Sequence, residues 1–354
     1  MTDTSTAVIG VDSLVNTHTH LREGMELMGP LIEKGIEGGA DVMLPMPNTK
    51  DGLRTVQEVT NYISALKALV PEGKCVHFIP TMLLTEETSV DELGKAVNHG
   101  IFDVKVYPLE RTTNSHWGVR HYGRIIDKVR ECGKLGIRVH FHPEHPWKVF
   151  SNRDAEFVFL PIADMFLSET EAKIFWEHGT DGRCIPFWID MAKSRRFYVT
   201  LTAHHLASNE DQAFGDVRQV CKPSLKTEQD RNDLVLLVKD DHPWVLAGPD
   251  DAPHPIQAKH VHQGRCACGA YTSPFLLPLY AHALGLGQKD GTSRDVFVNF
   301  TSRNARAIFG NLPTPRKVEL IRKPFRIPSL YTVGPWTVEP FWAGQEIDWT
   351  LLNS

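Results

Sequence analysis

The sequence predicts an α/β fold of the (β/α)8 TIM-barrel type, and three observations point to it. Short apolar or β-branched runs recur eight times. Helical patterns fill several of the intervals. Together they span roughly 250 residues, the usual length of such a barrel. The strand-like runs are 14–20, 40–46, 75–84, 102–107, 138–142, 172–177, 197–204 and 244–248. In "RTVQEVTNYISALKALV", Val56, Val59, Ile63, Leu66 and Val70 repeat at spacings of three and four, as one face of a helix does. Val119, Tyr122, Ile126, Val129 and Cys132 repeat in the same way, and Gly133 or Gly136 can stop that helix. Strands alternating with helices imply parallel βα units. A doubly wound open sheet is the alternative, but its glycine fingerprint is missing. The dense pair Gly285 and Gly287 has Asp290 where a third glycine is needed.

Composition narrows the class. The chain has 354 residues, 42% hydrophobic and 23% charged, which are ordinary globular values. A formal net charge of −5 without a long basic run argues against nucleic acid and membrane surfaces as partners. The six cysteines are scattered, which suits a reducing compartment. The segment "MTDTSTAVIGVDSL" lacks the basic-then-apolar pattern of a signal peptide, and no run of about 18 apolar residues is present. A soluble cytoplasmic protein is expected. The tail from Leu312 is rich in proline and aromatic residues. It reads as a strap over 311–354 on a barrel of about 14–310, so that 1–354 forms one domain.

The polar residues at the strand ends carry the functional reading, because a TIM barrel builds its active site there. The first run ends on His18-Thr19-His20, and the second leads to Asn48. The fourth carries Lys105 and the fifth His140. The sixth is followed by His178, and the eighth leads to Asp250. Alternate strand residues share a face, so His18 and His20 point the same way. Taken singly, these are ordinary: strand histidines, a snorkelling lysine, a turn aspartate. Gathered at one rim, they make a metal centre. Four imidazoles, a carboxylate and a carbamylated Lys105 can hold two divalent ions about 3.5–4 Å apart. Nitrogen and oxygen donors without thiolate suit zinc. A hydroxide bridging the ions would attack a carbonyl, and Asp250 would pass the proton to the leaving nitrogen. That is hydrolysis of an amide bond, or its reverse.

Longer strings add a resemblance. "THTHLREG", "MPNT", "KVYPLERTTNSHWGV", "VHFHPE", "FWEHGT", "TLTAHHL", "CKPSLK", "DDAPHPIQ" and "CACGAY" occur in that order. They resemble the dihydroorotases of the amidohydrolase superfamily, in the short monofunctional form of bacteria and fungi. The resemblance covers about 14–274. It implies reversible cyclisation of N-carbamoyl-L-aspartate to L-dihydroorotate in pyrimidine synthesis, on two zinc ions bridged by carbamylated Lys105 and hydroxide. His18, His20, Lys105 and Asp250 would hold the more buried ion, and Lys105, His140 and His178 the other. Asp250 would also be the general acid/base. Arg22, Asn48 and His254 would bind the substrate carboxylate. Thr112 and Thr113 would lie on a closing loop. The backbone at Lys222 and near Cys268 would meet the ring amide. A homodimer is also implied.

Three places depart from the family. His-Gly-Glu is matched here to His140-Phe141-His142, with His142 as a competing ligand. Asp251 adds a carboxylate beside Asp250, and "CACG" is reworked. They keep open a related cyclic amide, imide or lactone hydrolase. An inactive scaffold of the same ancestry is the reading from a different class.

Overall fold

The computed structural model describes residues 7–352; 1–6 and 353–354 lie outside the described residues. The eight barrel strands are β1 Leu14–Thr19, β2 Ala40–Pro45, β3, β4 Asp103–Val106, β5 Arg138–Phe141, β6 Lys173–Trp176, β7 Phe197–Leu201 and β8 Val245–Ala247. Strand β3 is split into His77–Phe78, which pairs with β2, and Thr81–Leu83, which pairs with β4. All the barrel pairings are parallel. The ring closes between β8 and β1, where Asp250 N donates to His18 O (2.9 Å) and His20 N to Asp251 O (3.1 Å).

Local chemistry sets the element ends. Val56–Ala68 begins with a capping box of Thr55 and Glu58. Ile126–Leu135 ends at Gly136, whose φ of 71° lies in the left-handed region that glycine adopts without strain. Every strand is shorter than the run that the sequence suggests, and in two the cause is local. Strand β5 ends at Phe141 because Pro143 has no N–H to extend the ladder. Strand β7 stops at Leu201 because the Thr202 side chain caps a helix, Ala203–Ala207, accepting from His205 N. His204 and His205 are therefore helical.

The barrel is a packed core rather than a pore. Val15, Val42, Leu44, Ile79, Phe175 and Leu246 fill the lumen below the site, with Phe309 packed among them. A larger apolar layer lies between the strands and the surrounding helices. The tail is more regular than a strap. Lys317–Ile321 pairs antiparallel with Val8–Asp12 and with Thr350–Leu352. Tyr331–Val333 and Trp336–Val338 form a hairpin that brings Trp336 to the barrel mouth.

Gly248, at the exit of β8, is required by close approach. A Cβ there would lie 2.5 Å from Thr200 Cβ and 2.7 Å from Thr200 Oγ1. Gly248→Ala is expected to cost about 1–3 kcal/mol through overpacking. Calorimetry would register this as a lower unfolding midpoint, and an unchanged midpoint would contradict the packing described.

A candidate metal centre and its pocket

The strand exits bring a donor set into one buried space. His18 Nε2 and His20 Nε2 lie 3.2 and 2.9 Å from Asp250 Oδ1. These three residues form one of the two groups with metal-ligand geometry among the described residues. Burial is the main reason that the His20 pKa falls to about 4, leaving a neutral ring with a lone pair. Asp250 behaves oppositely. Burial would raise its pKa, but His18 and His20 beside it hold the carboxyl well below the usual range. His178 stands 5.1 Å from His18 between ring centres, and its Nδ1 is buried without a partner.

Lys105 is fully buried in β4, and its Nζ has no hydrogen-bond partner. Burial lowers its pKa to about 8, against the opposing pull of Glu177 and Asp250. A buried amine without a hydrogen-bond partner loses its proton more readily than an exposed lysine, and the neutral form is a nucleophile. Glu177, unnoticed in the sequence, supports the ligands from β6. It binds His18 Nδ1 (2.9 Å), His140 Nδ1 (2.5 Å) and Thr200 Oγ1 (2.7 Å). A carboxylate behind a histidine is the usual outer-shell partner of a metal ligand.

One expected ligand is corrected. His140 sits below the rim, stacked on Phe175 with ring centres 4.3 Å apart. Its Nδ1 meets Glu177 and its Nε2 lies 2.9 Å from Asp103 Oδ1, so neither nitrogen is free for a metal. His142 takes the rim position instead. Its ring centre is 4.5 Å from that of His178, it lines the inner hollow, and Glu144 Oε2 lies 2.8 Å from its Nε2. Barrel shear is the cause. Lys105, His140 and Phe175 are ladder neighbours. Neighbours on tilted strands sit at successively different heights, so the rim residue of β5 lies two places beyond the partner of Lys105. The spacing "HPE" was the available signal, since it keeps a glutamate two residues after the histidine.

The other departures point away from the hollow. Phe141 stacks on Phe166, 5.0 Å between ring centres, in the outer layer. Asp251 accepts from Asn16 Nδ2 (3.2 Å) and Ser273 Oγ (2.5 Å) and does not line the cavity.

The inner hollow is small, about 20 Å³, the size of a site for a water or an ion. It opens into a cavity of about 360 Å³. Arg22, Asn48, Thr113 and His254 line both spaces, while Thr112, Lys222 and Cys268 line the inner one. Arg22 donates to Pro253 O through Nε (3.0 Å) and Nη2 (2.7 Å). His254 Nε2 donates to Cys268 O (3.0 Å). Asn48 Nδ2 donates to Thr113 O (3.1 Å), and its Oδ1 is buried without a partner. The 112–114 loop is thus closed onto the site, with Asn114 donating to Asn48 O (3.1 Å).

Lys259 was not foreseen. Its buried ammonium donates to Val220 O, Ala267 O and Gly269 O at 3.0, 3.0 and 2.8 Å. It thereby clamps the two segments that carry Lys222 and Cys268. No sequence pattern marks such a lysine.

No family model matches the sequence. The dihydroorotase of Alkalilimnicola ehrlichii is 31% identical over 346 residues, covering 95% of this chain and 96% of its own. The chain belongs to the dihydroorotase family. A fungal member, from Mycosarcoma maydis, is 28% identical over 98% of this chain. The crystal structure of Saccharomyces cerevisiae dihydroorotase in complex with 5-fluoroorotic acid superposes with a TM-score of 0.87 at 26% identity, covering 97% of this chain and 98% of that one. An L-hydantoinase from Arthrobacter aurescens shares the fold at 12% identity, with a TM-score of 0.81. Dihydroorotases are metal-dependent hydrolases of cyclic amides, and no helix among the described residues is long and apolar enough to cross a membrane.

Lys259→Met strands three carbonyls, at roughly 1–3 kcal/mol for a buried unsatisfied group. Hydrogen exchange at 220–223 and 266–269 is expected to quicken in this variant. Unchanged exchange there would overturn the clamp.

Proposed function

We propose that this chain is a zinc-dependent dihydroorotase that interconverts N-carbamoyl-L-aspartate and L-dihydroorotate in pyrimidine biosynthesis. One observation carries the reading: a metal donor set and a carboxylate-binding group meet in a single barrel mouth. His18, His20, Asp250 and Lys105 would hold one ion. Lys105, His142 and His178 would hold the second. The unpartnered Lys105 amine supports the carbamate. The ammonium first gives one proton to solvent; the neutral nitrogen then bonds to the carbon of carbon dioxide and loses a second proton, which leaves an anionic oxygen donor on an uncharged nitrogen. When bound, zinc ions supply Lewis acidity and lower the pKa of water toward about 7.

The chain's own groups do the rest. Asp250, kept ionised by His18 and His20, accepts a proton in ring opening and returns it to the amide nitrogen. Arg22, with Asn48 and His254, grips the substrate carboxylate through a forked guanidinium, an amide and a ring. Thr112 and Thr113 belong to the loop that excludes water. The backbone at Lys222 and Cys268 meets the ring amide. Homodimeric assembly and a cytoplasmic location belong to the same reading. With Phe141 and Asp251 outside the cavity, little favours a different cyclic amide or a lactone, and an intact donor set speaks against an inactive scaffold.

Purified enzyme is expected to interconvert the two compounds, and Lys105→Ala to lose roughly 10²–10³-fold in rate, the scale of one lost electrostatic stabiliser. Wild-type protein that carries zinc yet turns over neither compound would end the assignment. The two histidines of β5 separate in a second measurement. His142→Ala should lose about one of two zinc ions per chain, whereas His140→Gln should keep both. Equal loss in the two variants would refute the ligand exchange.

A further inference from the structure

A second cluster of metal-type side chains lies outside the barrel-mouth cavities. We propose that His204, His205 and Cys221 form an additional buried site for a zinc-type divalent ion. The inference does not depend on the reaction assigned above.

The three residues converge from two segments. His204 and His205 lie on the helix Ala203–Ala207 that Thr202 caps, and Cys221 follows the turn Val217–Gln219. All three are buried, and their ligand atoms lie within 4.8 Å of one another. None lines the cavities around Asp250.

His204 makes the case. Its side chain is buried, yet neither ring nitrogen has a hydrogen-bond partner. A buried imidazole with two idle nitrogens is rare unless something binds it. His205 is arranged as a ligand would be. Thr202 Oγ1 lies 2.7 Å from its Nδ1 and can fix the tautomer that leaves Nε2 with a lone pair. That Nε2 is 3.6 Å from Cys221 Sγ. A tetrahedral zinc about 2.3 Å from sulfur and about 2.0 Å from nitrogen separates them by about 3.5 Å. Pro223 O, 3.0 Å from Nε2 and 3.2 Å from Sγ, offers a fourth donor.

Without an ion, the Cys221 thiol and a protonated His205 Nε2 both donate to Pro223 O, which accounts for those two residues. It leaves His204 unexplained. A thiolate with two imidazoles selects zinc over magnesium or calcium. On binding, the Cys221 proton goes to solvent and the cation replaces it. The ion would tie the helix after β7 to the segment carrying Lys222.

Cobalt substitution of the full-length enzyme tests this. The barrel-mouth ligands proposed above contain no sulfur, but Cys268 lines that hollow, so a near-ultraviolet thiolate-to-cobalt charge-transfer band is assigned to Cys221 when Cys221→Ser removes it and Cys268→Ser keeps it. Wild-type protein should show the band and hold one cobalt more per chain than Cys221→Ser. His204→Gln, a second variant in case the first fails to fold, should also lose the band. Both variants should keep the visible bands of the remaining cobalt. Cobalt-loaded wild type without the band, or equal cobalt in wild type and Cys221→Ser, overturns the site and leaves the dihydroorotase reading untouched. Protein that binds no cobalt at all overturns both.

Discussion

A carboxylate at the centre of a barrel is stable only when its charge is matched, and the rest of the site depends on how Glu177 is matched. It is fully buried, and burial alone would push its pKa up. Lys105, His140 and His18 more than offset this and hold it well below the usual range. Removing one partner from such a buried group costs several kcal/mol. From β6, Glu177 reaches β1 through His18, β5 through His140 and β7 through Thr200. The same bonds set the rings. With Nδ1 of His18 turned to Glu177, its Nε2 faces Asp250. Below, His140 links Glu177 to Asp103, which Arg138 grips through two bonds. The lower polar layer thus aims the upper one.

Aiming also uses strained backbone. Arg22, His178 and Asp250 have φ of 58°, 42° and 48°, in the left-handed region that residues with a Cβ occupy at about 1–3 kcal/mol each. All three leave barrel strands at the mouth. The strain persists because the surroundings over-determine it: His178 N donates to Thr200 Oγ1 and Asp250 N to His18 O. Gly248 lets Thr200 approach closely enough to serve both Glu177 and His178.

Much of this was legible in the sequence, and the limits have physical causes. Strand periodicity exposed the barrel, and a lysine between valines exposed Lys105, because burying an amine breaks a strong rule. His140 and His142 could not be ordered by alternation, since both face inward. Their heights depend on shear, a property of the closed ring rather than of any one strand. Glu177 was hidden by its neighbour His178. Lys259 was hidden because three backbone carbonyls, which no side-chain pattern records, satisfy its ammonium. The tail read as a strap because its strands pair with distant partners such as Val8–Asp12.

The unpartnered Lys105 bears on how such a site would decay. His18, Asp250 and Glu177 each hold part of the barrel together, through side-chain contacts or the seam between β1 and β8. A descendant that abandoned catalysis would still be selected to keep them for stability. Lys105 makes no hydrogen bond, and its tie to the fold is the charge that it sets against Glu177 and Asp250. A descendant that lost this lysine without a change at Glu177 would leave a buried carboxylate poorly matched. The lysine and the glutamate are therefore expected to be lost together rather than one at a time.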